Sequence, residues 1–358
     1  MDLKSQTEQN NNYKDVKLPN YKILDADTTA QMLKDFDGER TGWVQVGDKK
    51  WLFPHRYTEQ GEGFFKFQAR PTDIWVVSYP RTGTTWTQEM VWLIANDMDF
   101  DTAKTRPLTE RFPFLEFSMF NHPDLTEEFV KFNKKDKKKA EFCRELARPG
   151  YEVLANMSSP RFIKTHFPFS LLPNIFESGC KIVYVARNPK DVAVSWYKLN
   201  EAFKTQGYRG DFKRFWHYFK NDLTPWSPFW EHLKEAWANR EHKNLLFLFY
   251  EDLQQDLCQI IRKTAEFFGK NYSNDQIYKL EDHLNIKNFR NNPMVNLQEL
   301  KDCGIVRTDS EFVRKGTNGG WRDYFSEELE TEADEWISLN LKDTDLRFPL
   351  ANNNWFQQ

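Results

Sequence analysis

Four short β-rich runs, residues 73–78, 161–165, 181–186 and 244–249, each lead into a loop and then into helical spacing. They lack the polar alternation of a half-exposed strand, so they read as strands buried on both faces. Buried strands that alternate with helices leave few solutions. The chain is expected to be α/β, a single domain around a central parallel sheet. Helices are expected over 85–96, from Asn188-Pro189 onward, over 252–268 with Gly269 closing it, and over 326–339 with Ser326 as cap. A chain of 358 residues can bury such a core without disulfide or metal staples.

Outside this frame the texture differs. Residues 1–17 are polar and without period, and are expected to be disordered. Residues 18–65 read as an N-terminal extension containing a short hairpin around Gly47-Asp48. The main domain is expected over 66–348, with 349–358 as a mobile tail. Residues 131–148 interrupt the rhythm with Lys134, Lys135, Lys137, Lys138 and Lys139. One reading is a solvated helix face or flexible insertion. Another is a lid whose charge attracts an anionic cofactor.

Composition removes several classes. No apolar run approaches the roughly 20 residues of a membrane helix, and the N-terminus has no apolar signal core. A cytoplasmic protein with no membrane partner is expected. With 50 Lys+Arg against 53 Asp+Glu, the chain is no general nucleic-acid binder by charge. Cys143, Cys180, Cys258 and Cys303 are widely spaced, which suggests reduced thiols and no metal site. Aromatic residues make up 16% of the chain, enough to fill a core and line a pocket for flat apolar ligands.

The most specific stretch is Tyr79-Pro80-Arg81-Thr82-Gly83-Thr84-Thr85-Trp86, between a buried strand and a helix. Small residues at such a junction let backbone N–H groups and the helix N-terminus surround a phosphate. Compared with the G-x-x-x-x-G-K-[ST] loop, Ser78 stands at the first glycine, Thr84 at the lysine, and the cation is Arg81. A site without that lysine, and with Arg187 rather than a carboxylate after the 181–186 strand, does not look built for Mg–ATP. Arg187-Asn188-Pro189 repeats the strand-to-helix design, with Ser195 about two turns into its helix. Arg314-Lys315-Gly316 opens a basic, glycine-rich loop that could wrap an anion. Lys164 and His166 end the 161–165 strand on one side. An imidazole there can take a proton, and the ammonium can stabilise a transferring anion.

Taken in order, these motifs, with Tyr250-Glu251-Asp252, Asn292-Pro293-Met294 and Trp321, resemble the cytosolic sulfotransferase family from about Arg70 to Phe348. The resemblance implies a P-loop-kinase-like sulfotransferase fold and 3′-phosphoadenosine 5′-phosphosulfate (PAPS) as donor, with its bisphosphate product PAP. It implies that Arg81, Thr82, Gly83, Thr84 and Thr85 hold the 5′-phosphosulfate. Arg187, Ser195, Arg314, Lys315 and Gly316 would hold the 3′-phosphate. Trp86 and Tyr250, with Leu284 and Ile286, would form the adenine site. His166 would be the base, assisted by Lys164 and Arg81, acting on a small apolar phenol, steroid or retinoid-like alcohol. The family usually has Lys at Arg81, Ser at Thr82, and Thr and Phe at Leu284 and Ile286. Its dimer motif reads here as Arg322, Ser326, Glu327 and Thr331, which leaves oligomeric state open. Some insect members share the arginine, a retinol dehydratase among them. Alternatives are therefore a sulfation-driven dehydratase of an allylic alcohol, or a silent nucleotide-binding relative.

Overall fold

The structure, a computed structural model, describes residues 17–310 and 318–349. The expectations for residues 1–16 and 350–358, and for Arg314, Lys315 and Gly316, fall outside the described residues.

Among the described residues seven strands form two sheets. β1 (Tyr21–Ile23), β2 (Trp43–Val46) and β3 (Trp51–Pro54) make an antiparallel sheet in that order. The β2–β3 hairpin turns through Gly47 at φ 67° and Lys50 at φ 57°. β4 (Ile74–Val77), β5 (Phe162–Thr165), β6 (Lys181–Ala186) and β7 (Leu245–Phe249) form the central sheet, ordered β5-β4-β6-β7 and parallel throughout.

Alternate side chains of these strands enter different cores. Trp75, Val77, Ile163, Ile182, Tyr184 and Ala186 join a large aromatic cluster that includes the N-terminal sheet. Val76, Phe162, Val183, Leu246 and Leu248 join a second cluster with the Thr84–Ala95, Leu257–Phe267 and Asn274–Leu284 helices. Both faces are thus covered, which is why the strands read as continuous apolar runs. At the amino end of the sheet, fully buried Arg161 and Asp73 pair at 2.5 Å.

The expected helices form, with one difference. The run over 252–268 is two helices, Tyr250–Gln255 and Leu257–Phe267. Asp256, at φ −148° and ψ 84°, ends the first, and its carboxylate caps Gln259 N to start the second. The Ser326-capped helix spans Glu327–Leu341.

The lysine-rich segment is ordered. Helices Pro123–Phe132 and Lys137–Leu146 pack as a hairpin. Leu125, Phe129 and Cys143 face Ala202, Phe203, Leu300 and Ile305 in a third cluster. Lys134, Lys135, Lys137 and Lys138 face solvent.

Candidate active site

All four parallel strands end on one rim, where ligands of open α/β sheets bind. Val77 stands in register with Thr165 and Tyr184, and Ala186 with Phe249. The residues that follow, Ser78, His166, Arg187 and Tyr250, therefore converge. A cavity of about 360 Å³ opens here. Its lining includes Arg81, Gly83, Thr84, Thr85, Trp86, Lys164, His166, Arg187, Ser195, Tyr250 and Ile286.

Two expected contact residues turn elsewhere. Thr82 is buried, and its hydroxyl donates to Tyr79 O at 2.9 Å, bracing the loop from behind. Leu284 buries its side chain in the core and presents its carbonyl to Trp86 Nε1 at 2.9 Å. None of the exposed lysines of the insertion lines the cavity, so their charge does not face a ligand inside it.

The loop after β4 is shaped by two left-handed residues, Arg81 at φ 71° and Gly83 at φ 103°. A non-glycine residue held there is uncommon and marks a conformation fixed by its surroundings. Gly83 is the N-cap of the Thr84–Ala95 helix, and no side chain satisfies that end. Its N–H groups remain available to an anion. A Cβ on Gly83 would meet the Tyr250 ring at 2.6 Å, so this close approach and the left-handed φ together favour glycine. Ser78 Oγ and Thr84 Oγ1, 2.7 Å apart, tie the two ends of the loop together.

Three cationic or hydroxylic groups bracket the loop. Arg81 Nε donates to Ser195 Oγ at 3.0 Å. Arg187 reaches the Arg81 carbonyl at 3.4 Å and lies 4.0 Å over the Tyr250 ring. Asn188 caps its own helix through Lys190 N, while its N–H donates to Glu251 at 2.8 Å. Burial pushes Glu251 up to about 7.

His166 has a defined tautomer. Its Nδ1 lies 2.6 Å from the Ser78 carbonyl, which can only accept, so Nδ1 carries the proton and Nε2 the lone pair. Burial, and then the neighbouring Lys164, hold the imidazole well below its usual range. Burial likewise pushes half-buried Lys164 down to about 8; Glu116 opposes this and Arg81 adds to it. The Lys164 ammonium sits 4.1 Å over the Phe114 ring.

Two residues beneath the base were not legible as site residues. Glu116 is fully buried. It accepts from His166 N at 2.6 Å, Thr165 Oγ1 at 2.8 Å and Trp226 Nε1 at 3.1 Å. Burial still pushes it up to about 7. His232 Nε2 donates to the His166 carbonyl at 2.9 Å, and its Nδ1 accepts from the Tyr184 hydroxyl at 2.8 Å. Both backbone polar groups of His166 are thereby fixed. A lone carboxylate inside the aromatic run over 112–120 was the available signal for Glu116.

The wall beside the base is aromatic. Phe114 and Trp226 stand edge-on to His166, each with centroids 5.1 Å from it. Phe120 stacks on Trp226 at 4.4 Å. Phe117, Trp196, Phe203 and Leu146 extend this surface. A rim of cationic side chains and an uncapped helix end thus adjoins a neutral imidazole and an aromatic chamber.

Comparison with known proteins agrees with this arrangement. A sulfotransferase domain matches residues 71–345. The chain is 34% identical to luciferin sulfotransferase of Photinus pyralis, over 89% of this chain and 86% of that protein. It is 33% identical to sulfotransferase 1E1 of Homo sapiens, over 79% of this chain and 88% of that one. In structure it is similar to retinol dehydratase in complex with androsterone and inactive cofactor PAP. That match has a TM-score of 0.86 and 39% identity over 92% of this chain and 98% of that one. With the matched domain covering most of its length, the chain belongs to the sulfotransferase family, enzymes of sulfuryl transfer.

Proposed function

We propose that this chain transfers a sulfuryl group from PAPS to the hydroxyl of a small apolar acceptor, with residues 66–348 as the catalytic unit and the cytoplasm as its place of action. The observation that carries the reading is the His166–Ser78 contact. It leaves Nε2 unprotonated in a residue lining an aromatic chamber, beside two cations.

The residues present fit the donor. The uncapped helix end at Gly83, with Arg81, Thr84 and Thr85, suits a phosphosulfate. Arg187 and Ser195, joined by Arg314, Lys315 and Gly316 of the sequence motif, suit the 3′-phosphate. Trp86 and Tyr250, 5.7 Å apart and edge to face, suit a flat base beside Ile286. The donor supplies an activated sulfuryl group.

The chain supplies the rest. His166 Nε2 takes the acceptor's hydroxyl proton as its oxygen bonds to sulfur. Arg81 and Lys164 stabilise the negative charge that grows as the sulfur–oxygen bond to the leaving bisphosphate breaks. The aromatic chamber excludes water and orients the acceptor.

A second reading, dehydration of an allylic alcohol, is favoured by the aromatic rings of Phe114 and Trp226 beside His166 and by the likeness to retinol dehydratase, whose structure with retinol and PAP is 38% identical. Loss of sulfate would leave an allylic cation, and loss of a neighbouring proton from it would form the new double bond.

Binding and turnover variants test the main reading. PAP should bind the protein in preference to ATP by calorimetry. His166→Ala should leave PAP affinity within about twofold yet lower transfer by ~100-fold or more, the range of a lost general base. Unchanged transfer in that variant would remove His166 as the base.

A further inference from the structure

The lysines of the insertion serve no ligand inside the cavity, yet they are concentrated. Residues 131–139 hold six lysines and one aspartate, a net charge of five. Lys131, Lys134, Lys135, Lys137 and Lys138 are exposed, at the turn between the Pro123–Phe132 and Lys137–Leu146 helices. Among the described residues, only Lys139 of the six pairs with a carboxylate, Asp302 at 4.0 Å. Asp136 is spent on capping Lys138 N and Lys139 N. Glu128, on the preceding helix, is held by Arg40 at 2.8 Å. Asp124 and Glu127 are the exposed carboxylates that remain on that helix.

Within this cluster stands Phe132, 69% exposed. Its ring rests on Gly304, where an added Cβ would come within 3.0 Å, and the Lys204 ammonium lies 5.8 Å from it. Beyond these contacts most of the ring stays in water beside the lysines, an exposed apolar group in a basic surface. The same combination suits a negatively charged bilayer, which draws lysines to its headgroups and takes an aromatic ring at its boundary. Such a contact lies on the membrane and needs no crossing helix; among the described residues no helix is long and apolar enough to cross one.

We propose that the tip of the helical hairpin, residues 131–139 with Phe132, docks on the surface of an anionic lipid bilayer. The charge of the tip selects this occupant: a basic, aromatic-bearing turn complements acidic headgroups over a hydrocarbon boundary. The inner side of the hairpin belongs to the acceptor chamber, because Leu146 lines the cavity and Phe129 and Cys143 pack with cavity residues Phe203 and Leu300. Docking would bring that chamber to the phase in which apolar alcohols dissolve. This consequence, unlike the docking itself, rests on the acceptor class proposed above.

The test is flotation of the full chain with phosphatidylcholine vesicles, with and without phosphatidylserine. The chain should float with the serine-containing vesicles and much less with the neutral ones, and added salt should weaken the association. Each lysine near the surface contributes about fivefold, so Lys134→Gln/Lys135→Gln/Lys138→Gln should weaken it by about a hundredfold. Phe132→Ser should weaken it further at constant charge. Turnover of a water-soluble phenol without vesicles should be unchanged in the triple variant; this separates docking from the catalytic reading. Absence of binding, equal binding to neutral vesicles, or unchanged binding by the triple variant would overturn the proposal. So would lysine-dependent binding to heparin with none to vesicles, which would assign the patch to a different polyanion.

Discussion

At the scale of single residues, the site turns on how one buried carboxylate sets a lysine and a base. Lys164 keeps its charge only below about 8, because burial outweighs the support of Glu116. A lysine with a depressed pKa is charged below that value and neutral above it. The kcat/KM for PAPS, which reports the free enzyme, should therefore fall as pH rises through about 8. Lys164→Arg should move that limb out of range, since guanidinium stays protonated. Glu116→Gln should move it to lower pH, since the supporting charge is gone. A pH–rate series on the three proteins checks both directions, and coincident limbs would refute the assignment to Lys164. His166, held neutral, should add no limb near 6.5. Lys164 and His166 were legible in the sequence because spacing along one strand end places them together. Glu116 was not, because it reaches His166 across 50 residues of chain through a backbone N–H, which leaves no spacing signature. For Thr82, position in the loop does not reveal that its hydroxyl turns back to Tyr79.

At the scale of elements, the strand–loop–helix junction carries the proposed anion site. Its backbone is held in two left-handed residues, one of which lies under an aromatic ring. Gly83→Ala should cost about 1–3 kcal/mol of local strain and displace Tyr250. PAP affinity should drop by about tenfold or more, measured by calorimetry, while the far-ultraviolet spectrum stays native. Unchanged affinity would show that the loop tolerates a side chain and that Tyr250 is not packed as described. All four central strands and their parallel arrangement were legible, because burial on both faces gives continuous apolar runs; their order in the sheet was not. The break at Asp256 was not, since hydrophobic periodicity continues across it and only the capping side chain marks the interruption. Neither was the helical hairpin over 123–146, whose lysines dominate the composition while Leu125, Phe129 and Cys143 supply the packing.

At the scale of the whole molecule, one sheet divides the labour. Its amino edge is locked by the buried Arg161–Asp73 pair, and its carboxyl edge gathers the groups that face ligand. Helices on one side carry the phosphate loop, while the aromatic cluster on the other forms the chamber wall. The high aromatic content serves both as packing and as lining, a division that composition alone could not make. A chamber of about 360 Å³, next to a neutral base and an uncapped helix end, is built for a small apolar hydroxyl compound and an anionic donor. The most direct test is a product assay with PAPS and a panel of phenols, steroids and retinol, read by mass spectrometry. The account predicts a stable sulfate ester on at least one acceptor, absent with His166→Ala. A product lighter by one water would instead establish the dehydratase, and intact acceptors with PAP tightly bound would contradict sulfuryl transfer as the function of this site.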